Sequence, residues 1–253
     1  MYVMIREWKN NITPGINLGN EIYLNTLLYA DDQVIIKENE NDLQKSVFKL
    51  YQFCSKYTFK ISTQKTKIMA FKGRDPIRSK IILENKVLEQ VSHFKYLGCD
   101  ITYSDSIEIS NRTHKFQAVC GCINRTLKNK TRKDTQLRFY NTIALPQLLY
   151  GSETWTHRKK DINKIEASEM RFLRAVKGCT RLDKLRSEDI RTELKITESA
   201  VDKVQKYKTN WKTHINRMSG ERLPKLTQEY RPSGNRNIGR PRKRWIDEAG
   251  TGF

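Results

Sequence analysis

Several features are scarce in this sequence, and each scarcity narrows the reading. No continuous apolar stretch approaches the roughly 20 residues that a bilayer-spanning helix needs. The opening, MYVMIREWKNN, has neither an apolar core nor a secretory cleavage site. There are five cysteines, Cys54, Cys99, Cys120, Cys122 and Cys179, an odd number with no pair at C-x-x-C spacing. That argues against a disulfide framework, a zinc knuckle or a dithiol redox motif, and fits free thiols in a reducing compartment. The four histidines, His93, His114, His157 and His214, have no metal-ligand spacing and no nucleophile partner. Hydrophobic residues make up 37% of the chain, a low share, and no internal repeat is evident.

Acidic residues are also scarce beyond position 50. The first 50 residues hold 5 Lys and Arg against 7 Asp and Glu, whereas the remaining 203 hold 43 against 21. The formal net charge is +20 and the isoelectric point is near 9.8. At 253 residues the chain can form one or two domains with a real core. We therefore expect a soluble intracellular protein, nuclear or in a cytoplasmic ribonucleoprotein, whose basic bulk suits a polyanion. Nucleic acid is the commonest such partner. A basic surface serving solubility alone is the plainer alternative.

The acidic stretch contains the strongest local signal. In LLYADDQV, residues 27–34, Asp31 and Asp32 interrupt an apolar run. YLNTLLY and QVIIK, rich in aromatic and β-branched residues, read as strands, with Ala30, Asp31 and Asp32 at the turn. A helix follows, with Asn41 as its cap and Leu43, Val47, Leu50, Cys54 and Tyr57 at helical spacing. TKIMAF reads as a strand, KIILENKVLEQV as a hairpin turning at Glu84–Lys86, and HFKYLGCDITY as one more strand. Beyond residue 103 the period becomes helical. Phe116, Val119, Ile123 and Leu127 mark one helix. Leu137, Tyr140, Ala144 and Leu148 mark another, kinked at Pro146. Ile162, Ile165, Phe172, Leu173 and Val176 mark a third, ending near Gly178. Thr197 caps a fourth that carries Val201, Val204, Trp211, Ile215 and Met218. The tail, from Tyr230 onward, shows no periodicity and is expected to be extended and mobile. The fold class is α+β.

Two adjacent carboxylates repel each other, and a bound cation relieves the repulsion. Nucleotidyl transfer needs carboxylates that hold two divalent ions, and Mg²⁺ prefers such oxygen ligands. A hairpin tip can present them to a cleft. An acidic turn with no further role is the simpler account of Asp-Asp by itself.

Tyr29-Ala30-Asp31-Asp32 between two apolar strands resembles the Tyr-x-Asp-Asp box of reverse transcriptases. In order after it, ISTQKTKIMAF is similar to the next palm motif, with Thr63 where Asn is usual, and HFKYLG is similar to the primer grip. LPQLLYGSETW, MRFLRAVKGCTR, NWKTHINRM and GRPRKRWIDE resemble segments after the polymerase core of animal non-long-terminal-repeat retrotransposons. The resemblance implies a partial palm over 1–103, a helical thumb-like region over 104–222 and a basic tail over 223–253. It implies that Asp31 and Asp32 are catalytic ligands of two Mg²⁺ ions. Tyr29 would pack under the primer terminus, and Lys65 would lie near the incoming triphosphate, where an ordinary solvated lysine is the alternative. Phe94, Tyr96, Leu97 and Gly98 would form the primer grip. The implied partners are an RNA template, a DNA primer or target, and deoxynucleoside triphosphates, with no membrane.

The family also uses a third aspartate upstream, in an earlier palm strand, and a Gly- and Pro-containing helix that selects the nucleotide. Only 30 residues precede Asp31, and Glu7 and Glu21 are their only acids. The expectation is a chain that starts after both motifs, without fingers, and that does not polymerise alone. A palm without its neighbouring strands exposes edges and apolar surface. Lys128, Lys130, Arg132 and Lys133, and also Arg158, Lys159 and Lys160, are candidates for phosphate contacts. Arg240, Arg242, Lys243 and Arg244 in GRPRKRW suit nuclear import, a minor-groove arm or a plain basic tail. A non-catalytic nucleic-acid-binding protein is the alternative function.

Overall fold

The computed structural model describes residues 2–19, 21–71, 77–102, 107–156, 158–231 and 245. Short strands with two helices among them precede a run of helices, giving the expected α+β class, in two compact units. One comprises residues 1–103 with 220–232, the other 104–219 with 233–253.

In the first unit, α1 (Tyr2–Lys9) buries Met4, Ile5 and Trp8. Trp8 has no exposed surface, and its Nε1 donates to the Ser46 carbonyl of α2 (Glu40–Lys56) at 3.0 Å. Helix α2 buries Val47, Leu50 and Cys54, which are spaced to share one stripe. Leu50 and Cys54 join the α1 cluster, whereas Val47 joins Ile68, Ile81, Leu83 and Leu88. The cap is Asn39, two residues before the expected Asn41; its Oδ1 accepts the Asp42 N–H at 2.8 Å. Starting there puts Glu40 and Asp42 in the first turn, where the helix dipole favours negative charge.

The strands are short and pair in twos. Antiparallel pairs are β1 (Ile16–Asn17) with β2 (Tyr23–Leu24), β3 (Thr26–Tyr29) with β4 (Asp32–Ile35), and β6 (Ile82–Leu83) with β7 (Lys86–Val87). Strand β5 (Lys67–Ile68) runs parallel to β8 (Glu89–Gln90). β9 (His93–Tyr96) and β10 (Cys99–Thr102) form a hairpin. So HFKYLGCDITY folds as two strands, not one. Leu97 and Gly98 both adopt left-handed φ, 48° and 81°, which closes a two-residue turn. The turn of the β6–β7 hairpin is Glu84–Asn85, likewise with both φ values positive.

The second unit is helical: α3 (Ile107–Leu127), α4 (Lys133–Phe139), α5 (Leu145–Leu149), α6 (Lys159–Lys177), α7 (Ser187–Glu193) and α8 (Ala200–Asn216). A last helix, α9 (Leu223–Glu229), falls with the first unit. One continuous core runs from Ile109 on α3 to Val204 on α8. At its centre Tyr140 stacks on Phe172, centroids 5.0 Å apart, and meets the edge of Phe116. Between α4 and α5 the chain widens into a π-turn, Tyr140–Ala144. Pro146 has no N–H, and in an α-helix its ring would clash with the residue 142 carbonyl. The Leu145 N–H reaches back to the Tyr140 carbonyl, so the expected kink becomes a π-bulge.

Helix α6 stops at Gly178, whose φ of 90° suits a residue without a side chain. Helix α8 is capped by Ser199, not Thr197; Ser199 and Asp202 form a reciprocal capping box. In the tail, Trp245 is partly buried: its Nε1 donates to the Glu153 carbonyl at 2.6 Å, and its ring lies 5.5 Å from the fully buried Lys208 Nζ.

Candidate active site

The aspartates sit on a hairpin anchored at its base. A Cβ on Gly15 would come within 2.1 Å of the Leu24 carbonyl oxygen and 2.9 Å of that of Ile36, so only glycine allows this close approach. The Ile36 N–H donates to the Asn25 carbonyl at 2.9 Å. Inside the hairpin, Thr26 Oγ1 donates to the Val34 carbonyl at 2.7 Å, and Gln33 Nε2 donates to Thr26 Oγ1 at 3.3 Å.

The register pairs Tyr29 with Asp32, leaving Ala30 and Asp31 as the two-residue turn. Asp32 therefore opens β4 and does not lie in the turn. Cross-strand partners share a face, so Tyr29 and Asp32 project to the same side. Ala30 has φ 51°, an uncommon state for a residue with a Cβ. Both aspartates are exposed, and Tyr29 is 65% exposed. Leu27 and Leu28 point to opposite faces and are each 39% exposed, so neither face of this hairpin is fully covered.

The Asp32 charge acts on the β9–β10 hairpin. Burial, and after it the negative charge of Asp32, push the Tyr96 phenol above its ordinary range. Tyr96 is the last residue before the Leu97–Gly98 turn, so two hairpin ends lie within electrostatic reach of one another. Nothing local in the sequence links Asp32 to Tyr96. Leu97 is 38% exposed in a left-handed conformation, while Phe94, Tyr96 and Gly98 are half-buried. Backbone strain of this kind gathers where function fixes a loop.

The donor set at the tip is all oxygen. Among the described residues neither aspartate forms an ion pair, so both carboxylates can face a hard cation, which suits Mg²⁺ with its retained waters. Among the described residues no group of three or more His, Cys, Asp or Glu side chains is placed to hold a metal ion. Lys65 is exposed in a turn before β5, where its N–H donates to Ser62 Oγ at 3.4 Å. No described hydrogen bond or ion pair joins it to Asp31 or Asp32.

Lys128, Lys130, Arg132 and Lys133 belong to the other unit. All four are exposed around the α3–α4 connection, and Lys133 also pairs with Glu193 at 3.8 Å. Arg158, Lys159 and Lys160 are exposed at the start of α6. Arg240, Arg242, Lys243 and Arg244 lie outside the described residues. No described helix is long and apolar enough to cross a membrane.

Residues 1–101 match the family model of reverse transcriptase, an RNA-dependent DNA polymerase. A transposon-derived protein of Caenorhabditis elegans is 31% identical over 235 residues, which cover 88% of this chain and 83% of that one. A Drosophila melanogaster protein named as an RNA-directed DNA polymerase from transposon BS is 27% identical over 166 residues. That match takes in 60% of this chain but only 18% of the fly protein. No solved structure gives a significant match. The chain belongs to a family of transposon-derived proteins, and its first 101 residues match reverse transcriptase.

Proposed function

We propose that this chain is a carboxyl-terminal portion of the RNA-directed DNA polymerase of a non-long-terminal-repeat retrotransposon. The observation that carries the reading is the β3–β4 hairpin, which presents Asp31 and Asp32, both exposed and, among the described residues, without an ion partner. Asp31 and Asp32 would hold Mg²⁺. Bound there, the ions would supply Lewis-acid activation of a primer 3′-hydroxyl and neutralise the leaving pyrophosphate. Tyr29, sharing a face with Asp32, supports the primer end. Phe94, Tyr96, Leu97 and Gly98 hold the primer backbone, and Lys65 meets the triphosphate. Exposed cations of the helical unit, Lys128 to Lys133, hold template and primer by their phosphates.

Two carboxylates leave the metal site short of the third acid used in this family, so the polypeptide as given is expected not to extend a primer by itself. The test is primer extension on an RNA template with Mg²⁺, run with and without a separately supplied fingers and upstream palm segment. The expected result is no product from the chain alone, product on complementation, and loss of that product in Asp31→Asn. Synthesis by the chain alone that Asp31→Asn abolishes would overturn the need for the missing acid.

The exposed basic connection between α3 and α4 favours a second reading, a nucleic-acid-binding protein without catalysis. It predicts salt-dependent binding that Asp31→Asn leaves unchanged, and no product under complementation.

A further inference from the structure

The helical unit carries an open cleft of about 400 Å³, within the size range of small-ligand sites. Its walls include Tyr150, Tyr207, Asn210, Trp211 and His214, with Glu153 at one side. Four of these, Tyr207, Asn210, Trp211 and His214, are spaced to form one stripe of α8. Tyr150 is 54% exposed and Tyr207 46% exposed, so both rings are open to solvent. Trp211 is half-buried, and its ring centroid lies 5.5 Å from that of His214. The Tyr150 ring is held from below: the guanidinium of Arg112, itself 6% exposed, sits 4.9 Å from its centroid.

Charge surrounds the rings. The α8 stripe continues to Lys203 one turn before Tyr207 and to Arg217 about one turn after His214. Residues 104–219 contain 25 Lys and Arg against 13 Asp and Glu. Aromatic platforms between cations are the arrangement that binds single strands: every base offers a flat face to stack, and the cations follow the phosphates. A duplex hides those faces. Glu153 and Asn210 can accept hydrogen bonds from base amino groups, which gives the cleft an edge-reading side.

Resting on the nucleic-acid reading above, we infer that this cleft takes unpaired bases of single-stranded nucleic acid, stacked against Tyr150, Tyr207 and Trp211, with Lys203 and Arg217, about 21 Å apart along the helix, meeting phosphates of successive nucleotides on either side.

The experiment measures fluorescence anisotropy of the full chain with a short labelled oligo-uridylate and with a labelled RNA duplex, at one salt concentration. Because Tyr150 and Tyr207 are exposed, Tyr150→Ala with Tyr207→Ala should leave the core intact, which far-ultraviolet circular dichroism checks. The double variant is expected to lose about tenfold or more in single-strand affinity. Duplex affinity should stay within about twofold, and the paired Tyr→Phe substitutions should restore the single-strand value, since phenyl rings stack as well. Unchanged single-strand binding by the alanine variant overturns the cleft and leaves the proposed nucleic-acid role standing. Equal loss for strand and duplex overturns it too. So does a change in sedimentation with no change in affinity, which would make the face a contact between copies. If the unaltered chain binds neither oligonucleotide, both this inference and the nucleic-acid reading fall.

Discussion

Ala30 and Leu97 show what single residues do at this site. Each sits in left-handed backbone at a hairpin tip, a state that costs an L-residue about 1–2 kcal/mol. Glycine at position 30 removes that cost but adds entropy to the unfolded chain, so Ala30→Gly should stabilise the first unit by about 0.5–1 kcal/mol, read by urea unfolding. A loss of stability would mean that the Ala30 methyl packs usefully. Glu7 is a second case. Hydrogen bonds from Tyr57 and then Lys56 hold its carboxyl below the ordinary value of 4.5. A depressed acid adds stability above its unfolded pKa, and that contribution is lost as pH falls through the folded one. The α1–α2 tie is therefore present at neutral pH and weakens below about pH 4.5. Tyr57→Phe should move the Glu7 pKa back up toward 4.5, read from its carboxyl carbon shift by nuclear magnetic resonance. No movement would show that Lys56 carries the effect.

Among elements, α6 organises the helical unit through one buried acid. Glu169 has no exposed surface. It accepts from Tyr140 Oη at 3.0 Å, from the Ala200 N–H at 2.8 Å and from Arg191 Nη2 at 2.8 Å. It thereby ties the π-turn, α7 and the start of α8 to α6. Burial, followed by the nearby Glu169 charge, raises the Tyr140 phenol well above its usual range, so that hydroxyl stays a donor. Burial likewise pushes the Cys120 thiol up to about 12, which makes it a packing residue and not a nucleophile. Removing Glu169 takes the acceptor from a buried hydroxyl and an amide and leaves the Arg191 guanidinium to the longer Glu166 contact at 3.7 Å. Glu169→Ala should cost about 3–5 kcal/mol in thermal or urea unfolding of the helical unit. A cost below about 1 kcal/mol would show that water replaces the carboxylate. In the first unit the equivalent constraint is steric: Gly15 admits no Cβ, and its backbone contacts set the base of the aspartate hairpin.

For the molecule as a whole, the two units differ in how they bury apolar surface. Residues 104–219 share one continuous core, while the first unit has two smaller clusters and leaves Leu27, Leu28, Tyr29 and Phe71 exposed. Local stability follows burial, so limited trypsin digestion should leave a fragment from within residues 107–219 longer than any from the first 102. A protected fragment spanning residues 1–100 would contradict this and show that the strands are steadied in another way. Two units of unequal stability also mean that unfolding should be fitted with more than one transition.

Local chemistry wrote much of this into the chain. The hairpin that carries Asp31 and Asp32 between apolar strands, the stripes of α2, α3, α6 and α8, and the Gly178 stop all follow from residue spacing and backbone preference, which act over a few positions, although the register moves Asp32 out of the turn into β4. The caps lie two residues from their expected places because each helix start offers two capping residues, Asn39 and Asn41 at α2 and Thr197 and Ser199 at α8, and the choice depends on first-turn charge and a reciprocal bond. The β9–β10 hairpin was hidden because Leu97 is a poor turn former on its own. Tertiary structure alone decided what distance in sequence conceals. It put Tyr96 within reach of the Asp32 charge, gave the buried Lys208 Nζ the Trp155 carbonyl at 2.9 Å, docked Trp245 on Glu153, and gathered Tyr150 with Tyr207 and Trp211 around one cleft. Periodicity reports which face of an element turns inward. It does not report what meets that face, because that depends on contacts between segments far apart along the chain.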